Sequence, residues 1–228
     1  MAPDSSTLRG SDGKKTFLSC SEIKRDCAIG QPLFLKRTKP LSTIEPVMME
    51  QTEYLRQYEE NLKQNLLQSL RSQGMLPASG PIPATPDITD RWETLAESYI
   101  SDGIQEVVKY PLVSLGWAMY LGLAMAKYWD EGWEVYSKHP NLYQHLRDVR
   151  GFDYMDEVVR FDLYHWDCEE MVRSCSQTAL DKIRHEQIEP ASPMAYYVYA
   201  RSVKVLYLMG AAVGLAHLGY KQTAVNMD

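Results

Sequence analysis

The stretch PLVSLGWAMYLGLAMAKYW, Pro111 to Trp129, runs for nineteen residues and carries no charge before Lys127. Its apolar residues show neither alternation nor a single stripe, so a helix built from it is apolar on nearly every face. Such a helix belongs in the centre of a bundle or in a membrane. A membrane span needs about 20 apolar residues, and Lys127 shortens this one. The second apolar run, LYLMGAAVGLAHLGY (Leu206–Tyr220), has fifteen residues and contains His217. Both fall short of a span, so the reading is a buried core and a membrane location is disfavoured.

Small residues within these two runs predict how they meet. Ala118, Gly122 and Ala126 are four apart, as are Gly210 and Gly214, and Ala212 and Ala216. That spacing places them on one helical stripe, where missing side chains let backbones approach closely. The two helices are expected to cross in the core.

Working outward, Pro111 suits the first turn of the central helix, which is expected to reach Lys138. A preceding helix is expected to reach Tyr110, capped by Thr89 or Asp90, the latter with Glu93 as a capping box. Between Gly74 and Ile88 the sequence MLPASGPIPATPDI carries four prolines, which predicts a loop. Upstream, Leu55, Tyr58, Leu62, Leu66 and Leu70 recur at helical spacing, so residues 45–73 form a helix. The length of the following loop makes this helix a separable arm. Residues 1–44 lack periodicity and are read as a disordered leader, with Met48 and Met49 as alternative starts and a tag or upstream start as its origin. After His139-Pro140-Asn141, a short helix is expected before Gly151, then a long one from Asp153 to Gln187 and a last one over Met194–Tyr220. No strand-like alternation occurs. The expected fold is all-α, a single-domain bundle of about five main helices occupying residues 89–222, with the leader outside it.

Composition narrows the function classes. The 228 residues carry a net charge of −6, with eight Lys/Arg against five Asp/Glu in residues 1–48 and sixteen against twenty-five in the rest. An acidic folded portion excludes nucleic acid as the main ligand, because phosphate binding needs a basic face. Fifteen Tyr and five Trp stand against four Phe. Their polar tips need partners, so they are expected at core edges and contact surfaces. Cys20, Cys27, Cys168 and Cys175 form no C-x-x-C pair, and reduced thiols in a cytoplasmic setting follow. There is no nucleophile elbow, no P-loop and no dinucleotide fingerprint, and the chain is read as non-enzymatic.

Two groups of residues could still carry chemistry. Phe161, His165, Cys168, Val172, Cys175 and Ala179 form an a/d stripe on the long helix, so His165 and both cysteines face inward. Asp162 lies one turn before His165, the relation used by di-iron bundles, although the matching motif on a second helix is missing. His217 falls on an inward stripe of the last helix. A transition-metal site of His165, His217 and Asp162 is therefore one reading, with Glu97 and Glu106 as further acids. The alternative is two hydrogen-bonded core histidines and two cysteines packed as small apolar groups. The second group is KYWDEGWEVYSKHP, where Trp129, Trp133 and Tyr136 share a face and Asp130, Glu131 and Glu134 turn away. It reads either as an aromatic binding cleft or as the wet end of the core helix.

The segment RGFDYMDEVVRFD, Arg150 to Asp162, looks like a cluster of acids, but capping explains most of it. Asp153 fits an N-cap, and Asp156 and Glu157 suit the positive end of the helix dipole. Arg150 and Phe152 stay outside that explanation and join the cleft residues. Together, Trp129-Asp130 at the end of an Ala/Gly-rich helix and Arg-Gly-Phe-Asp-x-Met-Asp-Glu at Arg150–Glu157 resemble an uncharacterised all-helical family of Bacteroidetes proteins, over roughly residues 50–220. The resemblance implies a bacterial helical bundle and assigns no catalytic residue. The expected function is a module that binds a protein partner or self-associates, with metal or small-ligand binding on His165, His217 and Asp162 as the alternative.

Overall fold

The computed structural model describes residues 45–150 and 168–220, with side chains described for 51–148 and 168–220. In chain order the elements are α1 (Glu45–Ser72), α2 (Pro86–Thr89), α3 (Arg91–Val107), α4 (Pro111–Asp130), α5 (Trp133–Lys138), α6 (Leu142–Arg150), α7 (Cys168–His185) and α8 (Pro193–His217). The fold is all-α, with no strand among the described residues. It has more helices than the about five expected, for two local reasons. Gly132 breaks the central helix at φ −121°, ψ 35°, so α4 and α5 are separate. The Pro-rich stretch also contributes a helical turn, α2, begun by Pro86.

At the centre, α4 and α8 pack against each other as expected, here in parallel, and glycine is the reason they can. A Cβ on Gly122 would sit 2.0 Å from the Tyr207 carbonyl oxygen, and one on Gly210 would sit 2.1 Å from that of Met119. Gly214 faces Ala126 in the same way, at 2.7 Å. The two backbones touch along this seam, which no larger residue permits. Among the described residues, α8 is long and apolar enough to cross a membrane, but 78% of its apolar window is buried inside the bundle. That burial is what a core helix requires.

Around the seam, tyrosine hydroxyls fasten the outer helices. Ser114 Oγ donates to Gly103 O at 2.8 Å, which uses its single proton. The Tyr199 hydroxyl, 2.7 Å away, is therefore the donor to Ser114 Oγ. Tyr99 donates to Ser114 O at 2.5 Å, so α3, α4 and α8 meet at one serine. Ser202 likewise donates to Val198 O, leaving Tyr58 of α1 to donate to Ser202 Oγ at 2.7 Å. Tyr207 reaches Ile88 O at 2.7 Å and ties α8 to α2. Tyr143 of α6 donates to Asp102 of α3, which also takes Arg147 at 2.5 Å. The excess of Tyr over Phe thus has a structural use. These tyrosines lie inside the core rather than at its edges, because each hydroxyl has an acceptor, half-buried Asp102 for Tyr143 and buried oxygens for the others.

Other expectations need correcting. Far from standing off as a separable arm, α1 lays Leu55, Leu62, Leu66 and Leu70 into the core. Its Glu59 pairs with Arg201 and Lys204 of α8. Asp90 does not cap α3. It lies in helical conformation with its N–H bonded to Pro86 O, so its side chain makes no cap. The true caps are Asn141, whose Oδ1 accepts Gln144 N at 3.0 Å, and Ser192, which accepts Ala195 N at 3.2 Å. Gly74 does end α1 in the left-handed region, at φ +73°. The leader, the caps at Asp153 to Glu157 and the start of the long helix lie outside the described residues.

Candidate functional site

Because α4 and α8 run parallel, their C-terminal ends meet, and aromatic side chains collect there. Trp129, half-buried at the end of α4, lies edge-on to Tyr220 with ring centroids 5.2 Å apart. Its Nε1 donates to Asp87 Oδ2 at 3.0 Å. Tyr220 is 41% exposed and donates to Asp130, a bond that raises its own pKa. The turn at Gly132 then carries the chain away, so Trp133 and Tyr136 form a second pair rather than continuing the Trp129 face. Their rings stack at 5.7 Å with 24° between planes. Tyr136 is buried and donates to Asp87 O at 2.5 Å, whereas Trp133 is 53% exposed. Burial raises the Tyr136 pKa, and Arg91, 4.2 Å above its ring, opposes that rise.

Arg91 also donates to the carbonyls of His139 and Pro140, both at 3.1 Å, and so holds the α5–α6 corner against α3. Beyond that corner the His139 and His145 rings stack, 3.6 Å apart with 16° between planes.

Of the expected metal-site residues, His165 and Asp162 lie outside the described residues. His217 does not look inward: it is exposed in the last turn of α8. Burial along α8 continues through Leu215 and falls away over Ala216 and His217. Partial desolvation lowers the His217 pKa, and the charge of Glu131 pushes the other way. Among the described residues no three His, Cys, Asp or Glu side chains converge on a common point. Glu97 is exposed and Glu106 half-buried. Phe152 lies outside the described residues, as does the side chain of Arg150, whose backbone closes α6.

Cys168 and Cys175 are buried, as their stripe predicts, and burial pushes the Cys175 thiol up to about 12. A thiol that stays protonated at neutral pH packs rather than attacks. The buried tyrosines behave alike, since burial raises Tyr58, Tyr99, Tyr199 and Tyr207 and keeps each hydroxyl a donor. Their described partners are serine hydroxyls and backbone carbonyls.

Sequence reasoning missed Asp87, Arg91 and Tyr220. Asp87 sits in the segment assigned to a loop, and only the fold brings it under Trp129 and Tyr136. Arg91 carried no local signal, since Asp87 and Asp90 just before it make it look like an ordinary surface cation. No family model matches the chain, and no match was found among curated proteins or solved structures.

Proposed function

We propose that this chain is a non-enzymatic helical interaction module that engages a protein partner, or a second copy of itself, through the aromatic end of the α4–α8 pair. The observation that supports this most directly is Trp133. A tryptophan more than half exposed, held rigid by stacking on a buried tyrosine, presents apolar area whose ordering cost is already met. Tyr220 and Trp129 form a second aromatic pair at the same end, linked to Tyr136 through Asp87, and aromatic residues are enriched in interface cores. Asp130, Glu131 and Glu134 beside it suit a partner bearing Lys or Arg, which could also lie over an indole face. The acidic balance of residues 49–228 argues against nucleic acid, and the burial of α8 within the bundle favours a core helix over a membrane span. The bacterial family resembled in the Trp129-Asp130 and Arg150–Glu157 blocks is compatible with this reading and adds no activity to it.

The test places a photo-crosslinking residue at position 133 and, as a control, at exposed Gln68 on α1. A discrete adduct is expected from 133 and not from 68, and its mass tells partner from second copy. Matching patterns at the two positions, or no adduct at 133, would overturn the proposal.

A further inference from the structure

A groove of about 370 Å³ runs between α1, residues 80–85 and α8, sharing no lining residue with the aromatic end. Its volume falls in the range of small-molecule sites, about 300–1,000 Å³. Leu67, Ile82, Pro83, Met209, Ala212 and Leu215 make its walls apolar. The charged side chains lining it are Lys63 and Arg71, and no acid does so. That is unusual in a chain of net charge −6 whose other arginines are mostly paired: Arg56 with Glu53, Arg147 with Asp102, Arg173 with Glu170 and Arg201 with Glu59. Neither Lys63 nor Arg71 makes an ion pair among the described residues.

Arg71 is also held ready. One terminal nitrogen donates to Gly80 O at 2.5 Å, which pins the guanidinium against the loop. Its Nε is buried and has no hydrogen-bond partner. A buried N–H left unpaired is costly, and a carboxylate is the group that best satisfies an arginine edge. We propose that the groove binds a monocarboxylate with an apolar tail, its head on Arg71 and Lys63 and its tail along Leu67, Ile82 and Leu215. This site is separate from the aromatic end and does not depend on it.

The experiment titrates the full chain with dodecanoate and, separately, with dodecanol, both below their aggregation limits, by calorimetry. Saturable binding of dodecanoate is expected, about tenfold tighter than that of dodecanol, as for one charge-assisted contact. Arg71→Gln should weaken dodecanoate by about the same factor and leave dodecanol unchanged. Ala84→Trp, at the exposed rim, should weaken both ligands. Lys63→Gln provides a second charge variant on a half-exposed side chain if Arg71→Gln loses helicity by circular dichroism. Equal affinities for the two ligands, indifference of dodecanoate binding to the folded charge variants, or no saturable binding would each overturn the proposal.

Discussion

The glycine seam and the tyrosine clasps are two solutions to holding helices together, and they differ in what they tolerate. Along α4 and α8 the contacts are backbone against backbone, with Gly122 over Tyr207 O and Gly210 over Met119 O. Nothing there can rotate out of the way. Where α3 meets α4 and α8, Gly103 also makes a close approach, but the atom it faces is the Tyr199 hydroxyl, 2.3 Å from a built Cβ. That atom is the tip of a side chain and can be removed. Two approaches of similar closeness are therefore rigid in one place and correctable in the other.

The largest expected effect breaks the seam. Gly122→Ala should cost on the order of 3 kcal/mol, the upper range for overpacking, because the helices themselves must separate. Urea unfolding measures it, and a cost below about 1 kcal/mol would mean the seam is looser than described. Next comes the clasp. Gly103→Ala should cost about 2 kcal/mol alone and much less in a Tyr199→Phe background, where the clashing oxygen is gone. Tyr199→Phe by itself should cost about 1 kcal/mol, one hydrogen bond. Additivity in that double-mutant cycle would remove the distinction between seam and clasp.

The smallest effect concerns the outer corner, where α6 is fastened through Tyr143 and Arg147 to Asp102. Desolvation, and after it the charge of His139, lowers the His145 pKa, while Asp148 opposes them. The native state then binds fewer protons near pH 6 than the unfolded chain does. Stability from this group is present above the unfolded imidazole value of about 6.5 and is lost as pH falls below it. The midpoint of thermal unfolding should drop slightly between pH 7.5 and 5.5, and His145→Gln should flatten part of that slope. An unchanged slope in the variant would place the proton uptake elsewhere.

Much of the fold was legible because it depends on local spacing. The leucines of α1, the small-residue stripes of α4 and α8 and the inward cysteines of α7 each follow from a 3.6-residue period, which sequence states directly. The breaks were less legible. Gly132 reads as one glycine in a helical run, and only the turn it takes shows that Trp129 and Trp133 part company. The site was least legible. His217 sits on an apolar stripe, so periodicity points it inward, but periodicity does not say where the core ends. Asp87 and Tyr220 lie far apart in sequence, and both reach Trp129, one from α2 and the other from beyond the end of α8.

By itself, then, the sequence determined that this protein is helical, which faces are apolar and which two helices can touch at the backbone, since all three depend on residue size and spacing within a turn. Only the tertiary structure decided which tyrosine fastens which helix, where the core ends, and that Arg71 is left with an unpaired nitrogen in an apolar groove. Those outcomes depend on the direction and length of elements packed against one another, and no local period encodes them.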